Sequence, residues 1–298
     1  MKRTFYILTA LCIAAVSCTK EKTDYEAELD SVAPELLEFK EAYAFNSDAY
    51  IISLEALNGT LYKGYNEVRL KITDRQTGEV ASVTDVTFLP ALVGDDGQRT
   101  LCPHLFDLAY QEEDGYFAGY AVFMDESGTA GTWELRIGFT AAGRAHAVEQ
   151  GIDVEQQPNK NRNMTTFTGK DDRQYLIALV SPQKPRVGEN ELIAGIYRLD
   201  AEDQQRGYTE VDDYTLLLDP RMPEPSMGNH SSPNNVDLTQ QDNGLYHGVV
   251  NYTMTGNWTL NFMMLNQDGR IVKGTEVPTD FTPGVEGVKS ELHIDILF

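Results

Sequence analysis

Asp114-Gly115-Tyr116-Phe117-Ala118-Gly119-Tyr120-Ala121-Val122-Phe123-Met124 is followed, after a short break, by Gly131-Thr132-Trp133-Glu134-Leu135-Arg136-Ile137. The same phrase returns later in the chain. Asn243-Gly244-Leu245-Tyr246-His247-Gly248-Val249-Val250-Asn251-Tyr252-Thr253-Met254 precedes Gly256-Asn257-Trp258-Thr259-Leu260-Asn261-Phe262. Trp133 and Trp258 are the only two tryptophans, and they fall at the equivalent place. Asp-Gly and Asn-Gly supply the positive-φ residues of tight hairpin turns. The segments after each turn alternate apolar and polar, the period of a half-buried strand.

Earlier landmarks pair in the same way. Tyr50-Ile51-Ile52 answers Tyr175-Leu176-Ile177, and Gly64-Tyr65-Asn66-Glu67 answers Gly188-Glu189-Asn190-Glu191. Phe88-Leu89-Pro90 answers Leu218-Asp219-Pro220. Val68-Arg69-Leu70-Lys71-Ile72 and Leu292-His293-Ile294-Asp295-Ile296 alternate cleanly, the latter as a closing strand. Self-similarity at a fixed offset is the mark of a repeated structural unit. The fold class predicted is all-β: two tandem immunoglobulin-like antiparallel β-sandwich domains. The first spans 46–145 and the second 173–298, with 146–172 as linker. Residues 18–45 read as a tether, with room for one short helix over 26–43.

The N-terminus has another character. Met1-Lys2-Arg3 is basic, Tyr6–Val16 is apolar, and Ala15-Val16-Ser17-Cys18 follows. The apolar run is too short to cross ~30 Å of hydrocarbon as a helix. A basic start, short apolar core and small residues at its end make a secretory signal. A small residue directly before Cys resembles the bacterial lipobox, which implies removal of 1–17 and lipidation of Cys18. The expected location is the bacterial cell envelope, with the lipid bilayer as partner through Cys18. Of three cysteines, Cys12 leaves with the signal and Cys18 carries lipid. Cys102 remains as a lone thiol, so no intramolecular disulfide is expected.

The formal net charge is −22, and loss of Lys2 and Arg3 makes it more negative. With no basic patch, nucleic acid is not an expected partner. No Gly-x-Ser-x-Gly elbow, P-loop, His-Glu-x-x-His or dinucleotide fingerprint occurs, and the chain is not expected to be an enzyme.

Chemistry concentrates in Pro220-Arg221-Met222-Pro223-Glu224-Pro225-Ser226-Met227-Gly228-Asn229-His230-Ser231-Ser232-Pro233. Methionine ordinarily fills cores. A Pro-, Gly- and Ser-rich loop offers little core to fill. Thioether sulfur with imidazole is a soft donor set that suits Cu(I), whereas Ca²⁺ and Mg²⁺ prefer carboxylates. Met254 or His247 could complete such a site.

A Met/Pro-rich loop with His, then Gly244-Leu245-Tyr246-His247-Gly248, then Met254-Thr255-Gly256-Asn257-Trp258 before a strand, resembles the YtkA/FixH-like family over Met222 to Phe262. The resemblance implies a small immunoglobulin-like sandwich of bacterial envelopes associated with copper handling. It implies Met222, Met227 and His230 as ligands, Met254 as an addition, and Trp258 as a packing residue. Members of that family commonly carry a membrane helix. A lipid anchor stands in its place here, so an oxidase-assembly role is not carried over.

The first repeat departs from the pattern. Its loop runs from Leu89 to His104, lacks methionine, and ends in Cys102-Pro103-His104, with Met124 on the hairpin behind. Cys102, His104 and Met124 are soft copper donors, and zinc is an alternative that wants four ligands. Cys102 as a small buried hydrophobe is the competing assignment. His146 and His293 have no partner in sequence and read as ordinary strand or surface residues. Met263-Met264 should place one side chain inward and one outward. The leading functional expectation is a copper-binding envelope lipoprotein that buffers Cu(I) or passes it to a protein partner. The alternative is a non-catalytic surface module that binds a protein or polymer.

Overall fold

The computed structural model describes residues 37–47, 49–157 and 163–298. The stretch expected as a signal segment, Cys18 and the expected tether through residue 36 lie outside the described residues. No described helix is long and apolar enough to cross a membrane.

The first half runs β1 (Phe39–Asn46), β2 (Tyr50–Leu57), β3 (Leu61–Tyr62), β4 (Gly64–Asp74), β5 (Val83–Val93) and β6 (Arg99–Leu101). It continues with β7 (Ala109–Gln111), β8 (Tyr116–Phe123), β9 (Thr132–Ala141), β10 (Arg144–Ile152) and β11 (Val154–Glu155). One sheet has the order β1-β2-β4-β8-β7 and the other β10-β9-β5-β6. Their inner faces meet through Ile52, Leu54, Val68, Leu70, Phe88, Phe123, Trp133, Leu135 and Ile137, all buried. The alternation read in 133–137 is the burial pattern of β9, where Trp133, Leu135 and Ile137 point inward.

The second half runs β12 (Met164–Thr168), β13 (Gln174–Ser181), β14 (Gly188–Leu199), β15 (Tyr208–Glu210), β16 (Thr215–Met222) and β17 (His230–Ser231). Then come β18 (Val236–Gln240), β19 (Tyr246–Tyr252), β20 (Asn257–Leu265), β21 (Ile271–Lys273) and β22 (Leu292–Leu297). β12-β13-β14-β19-β18 form one layer, and β18 passes to the other through Thr215↔Thr239 and Leu216↔Leu238. In the first half the same crossing consists of Phe88 N–H to Phe106 O and Leu108 N–H to Val86 O, both 2.9 Å. A separate core of Tyr175, Ile177, Leu192, Leu216, Tyr246, Trp258, Leu260 and Phe262 lies between the layers. Met264 is buried and Met263 is half-buried, as alternation requires.

The halves correspond in hydrogen bonding. Asn66 accepts from Tyr62 N–H at 2.9 Å and donates to the carbonyls of Tyr62 and Gly64. Asn190 accepts from Arg186 N–H at 3.1 Å and donates to the carbonyls of Arg186 and Gly188. Trp133 Nε1–H donates to Asp125 O and Trp258 Nε1–H to Met254 O. The halves differ at one strand. β10 pairs with β9 from Arg144↔Ala141 to Ile152↔Trp133. Its counterpart is divided between β21 and β22, which both pair with β20. The arm 274–291 separates them. It leaves the sheet at Gly274, whose φ is +101° and where a Cβ would meet Phe262 O at 2.2 Å. The arm covers the outer face of β20, where Ser290 N–H donates to Asn261 Oδ1 at 2.8 Å.

Three segments differ from the sequence expectation. Residues 39–45 are strand β1, within the stretch expected as tether, and they exclude a helix running to 43. Residues 146–155 and 164–168 are strands β10, β11 and β12, within the stretch expected as linker. β10 and β12 each have only one paired edge; β10 exposes most of its side chains, and the apolar residues of β12, Met164 and Phe167, are three apart, so neither shows the period of a strand with one apolar face.

The sandwiches also pack on each other. Val122, Met164, Leu176, Ala178 and Tyr197 form a third buried cluster, with Tyr65, Tyr120, Met124 and Tyr208 around it. Tyr65 and Tyr120 stack at 5.3 Å. Tyr120 Oη–H donates to Glu210 Oε1 across the seam at 2.8 Å. The sequence carries a signal for this contact. Tyr120-Ala121-Val122-Phe123 and Leu176-Ile177-Ala178 are apolar at consecutive positions, which buries both faces of a strand.

Candidate metal centre

β16 ends at Met222, and the chain turns back at once. His230 of β17 lies opposite Met222, and Ser231 opposite Arg221. Directly opposed strand residues project to the same face. Asp219 and Arg221 alternate to the other side, where the guanidinium makes two hydrogen bonds to the carboxylate. The thioether and imidazole therefore share one face of the ribbon.

The intervening loop is fixed from both sides. Asn229 and Gly228 adopt φ of 54° and 63°, which suits Asn and Gly. Gly287 N–H donates to Pro223 O at 2.7 Å, and Asn229 Nδ2–H donates to Pro278 O at 3.1 Å. Both contacts come from the arm 274–291.

Met222 is 2 % exposed and belongs to the second core. Its Cε lies 2.7 Å from where a Cβ on Gly256 would stand, so glycine is what admits the methyl group there. His230 Nε2 is 2.8 Å from Thr253 Oγ1, and the ring meets Trp258 edge-on at 6.0 Å. Met254 is 36 % exposed on the same turn. Met227 packs half-buried against the same core. The structure thus brings Met222, His230 and Met254 to one end of the second sandwich, around the turn before Trp258, while Met227 lies half-buried in the loop between Met222 and His230. His247 is elsewhere, bonded to Asn243 and Glu191.

The first-repeat residues go to different surroundings. Cys102 is fully buried in the first core, and burial pushes its thiol well above the usual range. His104 is 6 % exposed, with Nδ1–H donating to Cys102 O at 2.7 Å. Its Nε2 is buried without a hydrogen-bond partner. Desolvation lowers its pKa, partly offset by the Cys102 and Gln205 backbones and by Asp203. Met124 lies at the seam, where its sulfur accepts from Tyr208 Oη–H at 3.4 Å. Among the described residues, no three or more His, Cys, Asp or Glu side chains are grouped to hold a metal ion. A zinc site of the usual donors is therefore not formed around Cys102 and His104.

His146 stacks on Phe139 at 5.2 Å, an ordinary strand role. His293 has a less ordinary place. With Met124 and Met164 it lines a cleft of about 780 Å³. Alternation reveals that His293 lies on a strand, but its neighbour β12 is too far away in sequence for spacing to indicate.

Residues 169–263 match the YtkA-like family model. The matched stretch contains Met222, Met227, His230 and Met254 and stops before the arm. No curated protein matches the chain. Among solved structures, a DUF4785 family protein from Legionella pneumophila is 11 % identical with a TM-score of 0.25. That match covers 75 % of this chain and 55 % of the other. A structure described as pT26-6p is 10 % identical with a TM-score of 0.23, covering 83 % and 65 %. The chain thus spans less than two thirds of the length of either, and similarity at this level carries no functional argument.

Proposed function

We propose that this chain is an envelope lipoprotein, anchored through Cys18, that holds Cu(I) at the end of its second sandwich. It would buffer the ion or pass it to a protein partner, without a catalytic step. The observation that carries the reading is the cross-strand pair of Met222 and His230, with Met254 on the adjoining turn. Thioether and imidazole are uncharged and soft, and such donors favour Cu(I) over hard divalent ions. The YtkA-like match over 169–263 supports placing the site in this half.

One observation favours the alternative, a non-catalytic surface module. Met222 is 2 % exposed and fills the core as an apolar side chain would. A competition titration with Cu(I) separates the two. Met→Leu conserves volume and costs less than about 1.5 kcal/mol, so Met222→Leu, Met227→Leu and Met254→Leu with His230→Gln should preserve the fold. Wild type should hold Cu(I) that the fourfold variant releases to the chelator. Equal binding by both proteins would transfer the assignment to the surface module. Zn²⁺ and Ca²⁺ titrations control for attraction to a strongly acidic chain.

A further inference from the structure

The arm between β21 and β22 is closed at its neck. Thr275 N–H donates to Ser290 Oγ at 2.9 Å, and Glu291 N–H donates to Thr275 Oγ1 at 3.2 Å. Ser290 Oγ–H in turn donates to Phe262 O at 2.8 Å, which seats the neck on β20. Residues 276–289 therefore leave and return at one point, the form of an Ω-loop.

Beyond the neck the arm has little hold. Val277 and Ser290 are buried, but between them only Gly287 and Lys289 are even half-buried. Phe281, Val285 and Val288 are exposed, so the apolar side chains of the tip contribute little burial energy. The tip meets the loop 223–229 through Gly287 N–H to Pro223 O, through Asn229 Nδ2–H to Pro278 O, and through the Phe281 ring against Gly228. Lys289 adds an ion pair with Asp295 near the neck. The closed position also leaves one group unsatisfied. Asn229 is 5 % exposed, and its Oδ1 is buried without a hydrogen-bond partner beneath Gly287. A buried acceptor without a donor costs stability that water would restore. Few buried apolar contacts and an orphaned acceptor place a segment at the low end of local stability.

The points of contact decide what opening would do. Pro223 directly follows Met222, and Asn229 directly precedes His230. Both are held from the same tip, so both supports of the loop are lost together when the tip lifts. We propose that residues 276–289 are a hinged flap, which opens about its neck while both sandwiches stay folded and so governs access to the loop 223–229. The role of that loop as an ion site rests on the reading above; the hinged opening does not.

The test is amide hydrogen exchange on the full, metal-free chain at graded urea below the unfolding transition. Gly287 N–H should exchange through local opening, roughly a hundredfold faster than the β20 amides after correction for intrinsic rates, and with little dependence on urea. Gly287→Ala places a methyl 2.7 Å from Asn229 Oδ1 and 3.3 Å from Pro223 Cα, neither of them on β20. It should speed exchange at Met227 N–H, which bonds Glu224 O at 2.9 Å inside the loop, by about tenfold and leave β20 unchanged. Gly287 exchange as slow and as urea-dependent as that of β20 would make the arm an integral part of the sandwich and overturn the flap. So would a Met227 amide unmoved in the variant, or one that quickens only in step with β20. No metal enters these measurements, so Cu(I) binding that survives the fourfold substitution would overturn the ion reading and leave the flap standing.

Discussion

Asn66 and Asn190 allow the correspondence between the halves to be tested in energetic terms. Each is at least nine-tenths buried and makes three hydrogen bonds to the backbone just before its strand. Replacing either with Ala leaves one N–H and two carbonyls without that partner. At about 1 kcal/mol net per hydrogen bond, the expected loss is about 3 kcal/mol, on the order of a hundredfold in the unfolding equilibrium. With a urea dependence of roughly 2 kcal/mol per M, the midpoint should fall by about 1.5 M. The assay is built into the chain, since Trp133 and Trp258 each sit fully buried in a different core. In a Trp133→Phe background, fluorescence reports the second sandwich, and Asn190→Ala should shift that transition. In a Trp258→Phe background, Asn66→Ala should shift the first by a similar amount. A cost below about 1 kcal/mol for either would refute the view that these side chains organise their strands. Asp is a useful third substitution. It keeps the acceptor but turns an oxygen toward two carbonyls, and it should cost at least as much as Ala.

Two further outcomes follow from the buried groups of the first repeat. Burial holds the pKa of His104 below its ordinary value of about 6.5. Above that value both folded and unfolded forms are neutral, and stability is at its full level. As pH falls below it, the unfolded chain binds the proton first, so stability declines until the folded pKa is passed. Urea midpoints measured between pH 8 and 5 should fall accordingly, and His104→Asn should flatten that part of the profile; an identical slope in the variant would remove His104 as the cause. The Cys102 thiol is fully buried and its ionisation is suppressed. It should react with an aromatic disulfide reagent only at the rate of opening, and become freely reactive in denaturant. Rapid labelling of the native chain would contradict its place in the core.

Much of the fold is legible because the inner faces follow a strict period. Trp133, Leu135 and Ile137 alternate against solvent-facing partners, and the two hairpins announce themselves through Asp-Gly and Asn-Gly. The edge strands escaped notice for a physical reason. β10 fully buries only Ile152, and β12 buries Met164 and packs Phe167 three residues later, off the period of two, so neither has an apolar stripe to detect. The candidate site was partly legible. Composition singled out Met222, Met227 and His230, and cross-strand pairing then placed the first and last together. That Met222 would reach into the core was hidden, because it depends on the missing side chain of Gly256 in the distant turn before β20. The cleft residues were illegible altogether. Met164 and His293 become neighbours only after the second sandwich has closed.

That closure gives the divided strand a consequence as the chain emerges. Every described strand of the first sandwich is available once Glu155 has emerged. The second cannot finish its sheet until Leu292–Leu297 has followed, because that segment covers β20 from Asn257 to Phe262. Until the arm has passed, β20 can pair with β16 along one edge and is bare along much of the other. A bare strand edge is a template for pairing with another chain. A chain that emerges N-terminus first therefore passes through an interval in which its first half can fold while its second offers an open edge. Lengthening the arm 274–291 would prolong that interval and raise the fraction lost to aggregation.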